Sequence, residues 1–134
     1  VNMVPSSAVF EADIRLPLGV TRERVLAEVE KILKDFPEAT VKETNCNLPS
    51  WVDPDCDIIQ IVQKTVEDLR GFRPTPIVSL GGTDARLWRY RNIPTCVYGP
   101  YPYGMGSFDE YVDVEDFLHI VRTHVLAAHA YLTR

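Results

Sequence analysis

Apolar side chains alternate with polar ones from Ala8 to Leu16, which is the period of a strand with one buried face. Thr21 then offers a helix N-cap, an apolar stripe follows at helical spacing, and Pro37 ends it. A weaker alternation over residues 40–46 predicts a second, more exposed strand. The first 46 residues are therefore predicted to form strand, helix and strand.

The pattern changes near Leu48, and we place a domain boundary between residues 47 and 48. Asp53-Pro54 has the residue types of an N-cap and first helical position, and the helix that follows is predicted to end near Gly71. Asp113 is predicted to start a long C-terminal helix.

Between these helices, residues 76–80 and 95–98 have the composition of short apolar strands, and residues 83–91 fit a short helix. A strand, a helix and a strand so close together predict a βαβ unit with a parallel sheet. The predicted fold is therefore α/β from residue 48 to 134, preceded by a smaller α+β piece over 1–47.

Composition narrows the class of protein. The 134 residues include 46% hydrophobic residues and carry a net charge of −5, as in a globular protein of one ordinary domain or two small ones. The acidic balance argues against a nucleic-acid partner. No apolar run approaches a membrane span, and the first residues (VNMVPSSAVFEADIR) lack the charged and apolar segments of a signal peptide, so a cytoplasmic protein is expected. The chain begins at Val1 and enters a strand pattern almost at once, as a fragment would.

Three cysteines, Cys46, Cys56 and Cys96, form no CxxC pair and are expected to be reduced thiols. Asp53, Asp55 and Asp57 imitate the start of a calcium loop, but Ile58 replaces its glycine and Lys64 its bidentate glutamate. The acids are better explained as helix-start residues.

The last helix carries three histidines at intervals of five residues, which turn about 140° each, so the rings cannot form an i, i+4 metal pair. They are His119, His124 and His129. Asp109-Glu110 could ligate a metal or act as a base, although helix capping is commoner. No nucleophilic triad is visible.

Two features are candidate binding elements. Gly81-Gly82-Thr83 lies between a predicted strand and a predicted helix start, where backbone amides can meet an anion, although a tight turn without a ligand is the simpler interpretation. Arg15 lies on the polar face of the first predicted strand, where it could bind an anion or simply pair with Glu11 or Asp13.

Three ordered segments resemble the C-terminal portion of the M20 metallopeptidase and deacylase family, over nearly the whole chain. They are residues 2–5 with 12–17 (NMVP and ADIRLP), residues 80–86 (LGGTDAR), and residues 93–100 with 109–112 (IPTCVYGP and DEYV). The resemblance implies half of a ferredoxin-like lid (dimerisation) domain over 1–47 and the last part of a zinc-peptidase-like α/β catalytic domain over 48–134.

The resemblance also implies roles for individual residues. Asn2 and Arg15 match lid positions that contact the substrate carboxylate, often from the other subunit of a homodimer. Gly82 and Thr83 match the turn that meets the same substrate, and Asp84 and Arg86 match further positions of that motif, for which a structural role is equally open. No catalytic residue and no metal ligand is assigned within the chain; zinc is implied, with its ligands mostly elsewhere.

One position departs from the family pattern. A metal-binding histidine is expected four residues before Glu110, and Gly106 occupies that position. A full-length protein could use one metal, recruit Asp109, or be catalytically inactive. We therefore expect the C-terminal segment of a metal-dependent hydrolase that cleaves an amide of a small carboxylate-bearing substrate, inactive by itself. The alternative is a non-catalytic dimerisation or carboxylate-binding module derived from that family.

Overall fold

The computed structural model describes residues 3–134, and the helices carry most of their regular structure. They are α1 (Arg22–Leu33), α2 (Asp57–Arg70), α3 (Ala85–Arg89) and α4 (Val114–Leu132). The chain divides into two compact units, Val1–Pro49 and Ser50–Arg134. Each unit is described by itself below.

The first unit is built around α1. The Thr21 side chain caps the helix by accepting a hydrogen bond from the Arg24 backbone N–H at 3.2 Å, as the sequence predicts. The Arg22 guanidinium donates to both carboxylate oxygens of Glu43, at 2.7 and 3.0 Å, and so holds the chain near residue 43 beside the start of the helix. No residue of α1 is fully buried.

The second unit centres on the packing of α2 against α4. Ile59, Thr65 and Val66 are the buried residues of α2, and Val66 is completely inaccessible. The buried residues of α4 are His119, Thr123 and Ala127, which follow one another at i, i+4 and therefore form a single stripe. The core of this unit is thus a narrow seam between two helices.

The ends of these helices follow local chemistry. α2 starts at Asp57 with Cys56 at the N-cap, three residues after the predicted Pro54, and residues 54–56 form a turn instead. It ends at Gly71, whose φ of 75° is the left-handed cap geometry that glycine accepts without strain. Asp113 is the N-cap of α4, as predicted.

The predicted α/β fold is wrong. Residues 3–134 contain no sheet, and one isolated antiparallel bridge, Tyr103 to Tyr111, is the only strand-type pairing among them. Neither a ferredoxin-like lid half in the first unit nor a βαβ unit in the second is formed. The predicted helix over 83–91 is the single turn of α3.

The wrong fold prediction comes from four segments that the sequence pattern predicted as strands. Residues 8–16, 40–46, 76–80 and 95–98 belong to no strand. Alternation assigns side chains to two faces, but a strand's backbone groups need a neighbouring strand, and the described residues supply none to these segments. The predicted buried face of residues 8–16 is also absent: Phe10 is 90% exposed.

The chain buries little apolar surface for its size. Only Ile59, Val66 and Ala127 are buried hydrophobic residues in the described part of the chain. The accessible area is 11228 Å², against about 7,100 Å² for a compact monomer of this mass and about 8,500 Å² for two separate globules of the two units' sizes. A large apolar area is therefore left in contact with solvent.

Between residues 3 and 134, none of the helices combines the length and apolar character that crossing a membrane would require.

Candidate functional site

The turn at residues 81–86, which we call the glycine turn, is held by short-range hydrogen bonds. The Ser79 hydroxyl accepts from the Gly81 N–H at 3.1 Å, and the Thr83 carbonyl accepts from the Arg86 N–H at 3.2 Å. Asp84 is the N-cap residue of α3, but its side chain makes no capping bond and is 89% exposed. The Ser79 hydroxyl and a backbone bond therefore set the shape of the turn, and the Asp84 carboxylate lies at its surface.

Arg89 fixes α3 to the rest of the second unit. Its Nε donates to the Thr95 carbonyl at 2.8 Å and its Nη1 donates to the Ser50 carbonyl at 3.4 Å. Because both acceptors lie outside α3, this side chain holds the short helix, and with it the glycine turn, against residues 50 and 95.

Arg86 lies one turn earlier on α3 and folds back over the glycine turn. Its Nη1 donates to the Thr83 carbonyl at 2.8 Å and to Asp84 Oδ1 at 3.2 Å. The side chain is 29% exposed. Its Nε atom is buried and, among the residues that the structure describes, has no hydrogen-bond partner. A guanidinium N–H without an acceptor is a costly group to bury, so an oxygen that reached this donor would be favoured, although the atoms that cover Nε would first have to move.

The structure brings together three of the six sequence-predicted site residues, Thr83, Asp84 and Arg86. Gly82 lies within the same turn and is exposed. Arg15 belongs to the first unit, where its Nη2 forms an ion pair with Asp13 Oδ2 at 2.5 Å and its side chain is 54% exposed. That pairing is the simpler of the two alternatives that the sequence left open for Arg15. Asn2 lies outside the described residues.

Gly106 has a structural role in its own loop. Its φ of 80° lies in the left-handed region, and its N–H donates to Glu110 Oε2 at 3.0 Å. A histidine there would be strained, because a side chain disfavours this backbone conformation. At the position where the family pattern places a metal ligand, this chain therefore has a glycine that its backbone conformation favours.

The described residues also include no group of three or more His, Cys, Asp and Glu side chains that could hold a metal ion. Cys46 is exposed, and Cys56 and Cys96 are half-buried free thiols. Burial, and secondly the neighbouring Cys56, raise the pKa of the Cys96 thiol, which keeps it protonated at neutral pH.

A polar cluster that the sequence did not predict joins α4 to residue 98. The Tyr98 hydroxyl and His119 Nε2 are 2.8 Å apart, and the Thr123 hydroxyl donates to the His119 carbonyl at 2.9 Å. His124 Nε2 lies 2.9 Å from the Tyr98 carbonyl. The partners are 21 and 26 residues apart in sequence. No local pattern could have joined them; the only signal was an i, i+4 His and Thr on an apolar helix.

The His119 and Tyr98 rings are held neutral by their surroundings. Burial, and then the positive charge of Arg70, lower the pKa of His119, while Asp116 acts in the opposite direction. Burial also raises the pKa of Tyr98. Arg70 and Asp116 are themselves paired at 2.9 Å. They line a cleft of about 210 Å³ together with Tyr98 and His119, but its polar groups already have partners, so we assign the cluster a structural role.

Comparison with known proteins gives no relative: no family model, no curated protein and no solved structure matches the chain.

Proposed function

We propose that the glycine turn and Arg86 bind the carboxylate of a small amide substrate, as part of an M20-like amidohydrolase. The observation that carries this proposal is the buried, unpartnered Nε of Arg86 beside a guanidinium Nη1 already anchored on Thr83 and Asp84. An anchored guanidinium loses little freedom when it binds, and a carboxylate oxygen is its best acceptor.

The order of the sequence motifs adds the substrate class. The segments that contain Asn2, Arg15 and the glycine turn stand in the order found in M20 enzymes, which hydrolyse amides of amino-acid-like carboxylates. In this proposal Arg15, freed from Asp13, binds substrate as the matching lid residue of M20 enzymes does, often from the other subunit, and the enzyme functions as a homodimer. The present chain by itself is inactive.

The residues of this chain bind and orient substrate, and none of them acts on the scissile bond. Zinc, when bound in such an enzyme, supplies an activated water. No step of the proposal goes through the metal, whose ligands, as the family resemblance implies, lie mostly outside this chain.

The first test is made on the native gene product from its source cells. Intact mass, zinc content and hydrolysis of N-acyl amino acids are measured on that protein. The proposal expects a mass well above 15.2 kDa and turnover of the N-acyl amino acids. A native product of this size without amidase activity would contradict the enzymatic role.

The second test measures the contributions of Arg15 and Arg86 to catalysis separately. In an active native protein, Arg15→Ala and Arg86→Gln should each lower kcat/KM by about 10- to 100-fold, because each removes a charged hydrogen bond to the substrate. Arg91→Gln, an exposed arginine just after α3, is the matched control and should change it less than twofold. An unchanged value for Arg15→Ala would remove Arg15 from the site.

The alternative is a carboxylate-binding module without catalysis, and Gly106 favours it. The loop at this position is shaped around glycine, with its N–H occupied by Glu110. Carboxylate binding by the native product, with no turnover of any N-acyl amino acid when zinc is supplied, would establish this second function.

A further inference from the structure

We propose that Cys56 and Cys96 form a redox pair, whose two thiols are joined by peroxide in a reversible disulfide. Both residues belong to the second unit, and the pair does not depend on the proposed function. Three observations carry it: the packing of the two segments that hold the cysteines, the cleft that reaches one of the thiols, and the different surroundings of the two sulfur atoms.

Arg89 holds two segments that are distant in sequence beside each other. Its Nε donates to the Thr95 carbonyl at 2.8 Å, and its Nη1 donates to the Ser50 carbonyl at 3.4 Å. Thr95 directly precedes Cys96, and the segment that starts at Ser50 leads into the turn before α2. One guanidinium therefore fixes the Cys96 segment against the chain that leads to Cys56.

The two thiols lie where these segments meet. Cys56 lines a cleft of about 290 Å³ whose wall includes Pro94, two residues before Cys96. The pKa of the Cys96 thiol is raised by Cys56 more strongly than it is lowered by Arg89. Arg89 itself is bonded to the carbonyl of the residue next to Cys96. Because electrostatic effects weaken with distance, the larger effect of Cys56 means that it is a close neighbour of the Cys96 thiol.

The two sulfur atoms are suited to different steps of one reaction. Cys56 is the N-cap residue of the 14-residue helix α2, and its side chain makes no capping hydrogen bond. Its sulfur therefore lies free at the positive end of a helix, beside an open cleft. Cys96 is half-buried, and burial keeps its thiol protonated. Cys56 is thus the thiol that meets the oxidant, and Cys96 is the thiol that resolves the product.

Hydrogen peroxide supplies the oxidising equivalents. The Cys56 sulfur attacks one peroxide oxygen, the O–O bond breaks, and a sulfenic acid and one water are formed. The Cys96 sulfur then attacks the Cys56 sulfur, and the Cys96 thiol proton leaves with the sulfenic hydroxyl as a second water. Two thiols and one peroxide give one disulfide and two waters, so two electrons pass from sulfur to oxygen. A dithiol reductant reverses the bond by exchange.

The disulfide would close a loop of about 40 residues that contains α2, the glycine turn and α3. A cross-link of this kind restricts the unfolded chain and so stabilises the folded one. It would also tie the start of α2 to the segment on which Arg89 anchors α3. We therefore expect oxidation to raise the urea midpoint of the second unit.

The test is limited oxidation of the folded 134-residue chain with hydrogen peroxide, followed by alkylation of the remaining thiols and mass spectrometry. We expect a loss of about 2 Da, alkylation at Cys46 alone, and recovery of all three thiols after reduction. Digestion at aspartates separates Cys46 from Cys56, because Asp53 and Asp55 lie between them. The cross-linked peptides then identify the pair without any substitution.

Cys46→Ser is the matched control, because it removes the exposed thiol of the first unit. This variant should still lose about 2 Da and gain stability on oxidation. Cys56→Ser and Cys96→Ser should each abolish both effects. Circular dichroism must show the same helix content for the three variants before oxidation. Should Cys96→Ser unfold the chain, Cys96→Ala replaces it.

The same oxidation in urea shows whether the fold selects the pair. Cys46 and Cys56 are ten residues apart, so they close the shortest loop in an unfolded chain. We expect the preference for Cys56 with Cys96 to be lost there. A disulfide that includes Cys46 in the folded chain, a disulfide between two chains, or conversion of Cys56 to a sulfinic acid while Cys96 stays reduced overturns the proposal.

Discussion

Two regions of the second unit differ in how their polar side chains are hydrogen-bonded. They are the seam between α2 and α4 and the glycine turn. In the seam, the His119 ring, the Tyr98 hydroxyl and the Thr123 hydroxyl hydrogen-bond to one another or to backbone. In the glycine turn, Asp84 is exposed and the Nε of Arg86 has no partner within the described residues. Satisfied polar groups stabilise a fold, while an unsatisfied donor is a group that a ligand can use.

The largest expected loss of stability follows from truncating a buried side chain in the seam. Val66→Ala removes two methyl groups from a completely inaccessible position and should lower the free energy of unfolding by about 2 kcal/mol. Val97→Ala, at a 61% exposed position, should change it by less than about 0.5 kcal/mol. Urea unfolding of both variants measures the difference. Equal effects would mean that the seam is not the core of the second unit.

A smaller effect is expected at the polar cluster. Tyr98→Phe removes the hydroxyl beside His119 Nε2 and leaves that nitrogen only the Thr123 hydroxyl, 3.5 Å away. The free energy of unfolding should fall by about 1 kcal/mol. Tyr101→Phe is the control at a 66% exposed ring. A neutral result for Tyr98→Phe would show that the cluster is not a satisfied network.

The helices were predictable because their information is local. Thr21 caps α1, Gly71 ends α2 and Asp113 starts α4, and each lies within a few residues of the bonds it affects. Strands were not predictable in this way, because a strand needs partners distant in sequence. Residues 8–16 and 76–80 have no such partner within the described chain. The same reason explains which polar residues the sequence could bring together. Thr83 and Arg86 were predictable neighbours because they are three residues apart, whereas Tyr98 and His119 are 21 apart.

The seam should also respond to acid. Because the pKa of His119 is lowered from 6.5 in the folded chain, the unfolded chain takes up a proton first as the pH falls. Stability should therefore be independent of this group above about pH 6.5 and decrease below it, until the folded pKa is reached. In pH-dependent urea unfolding, His119→Gln should remove this slope and His129→Gln should retain it. A slope that survives in His119→Gln would assign it to another group.

The glycine turn should show the smallest effect on stability. Arg86→Gln replaces a side chain whose Nε is unsatisfied and whose ion-pair partner, Asp84, is 89% exposed. We expect the free energy of unfolding to change by less than about 0.5 kcal/mol. A loss comparable with that of Val66→Ala would mean that Arg86 serves the fold rather than a ligand, and the contrast between the two regions would disappear.

The most direct test of carboxylate binding is a nuclear magnetic resonance titration that follows the Nε–H signal of Arg86. N-acetylalanine is added to one sample and its neutral carboxamide, which lacks only the charge, to another. We predict a saturable shift with the carboxylate, a much weaker one with the carboxamide, and loss of carboxylate binding in Arg86→Gln but not in Arg91→Gln. No shift at Arg86, or equal shifts with both compounds, would contradict carboxylate recognition at the glycine turn.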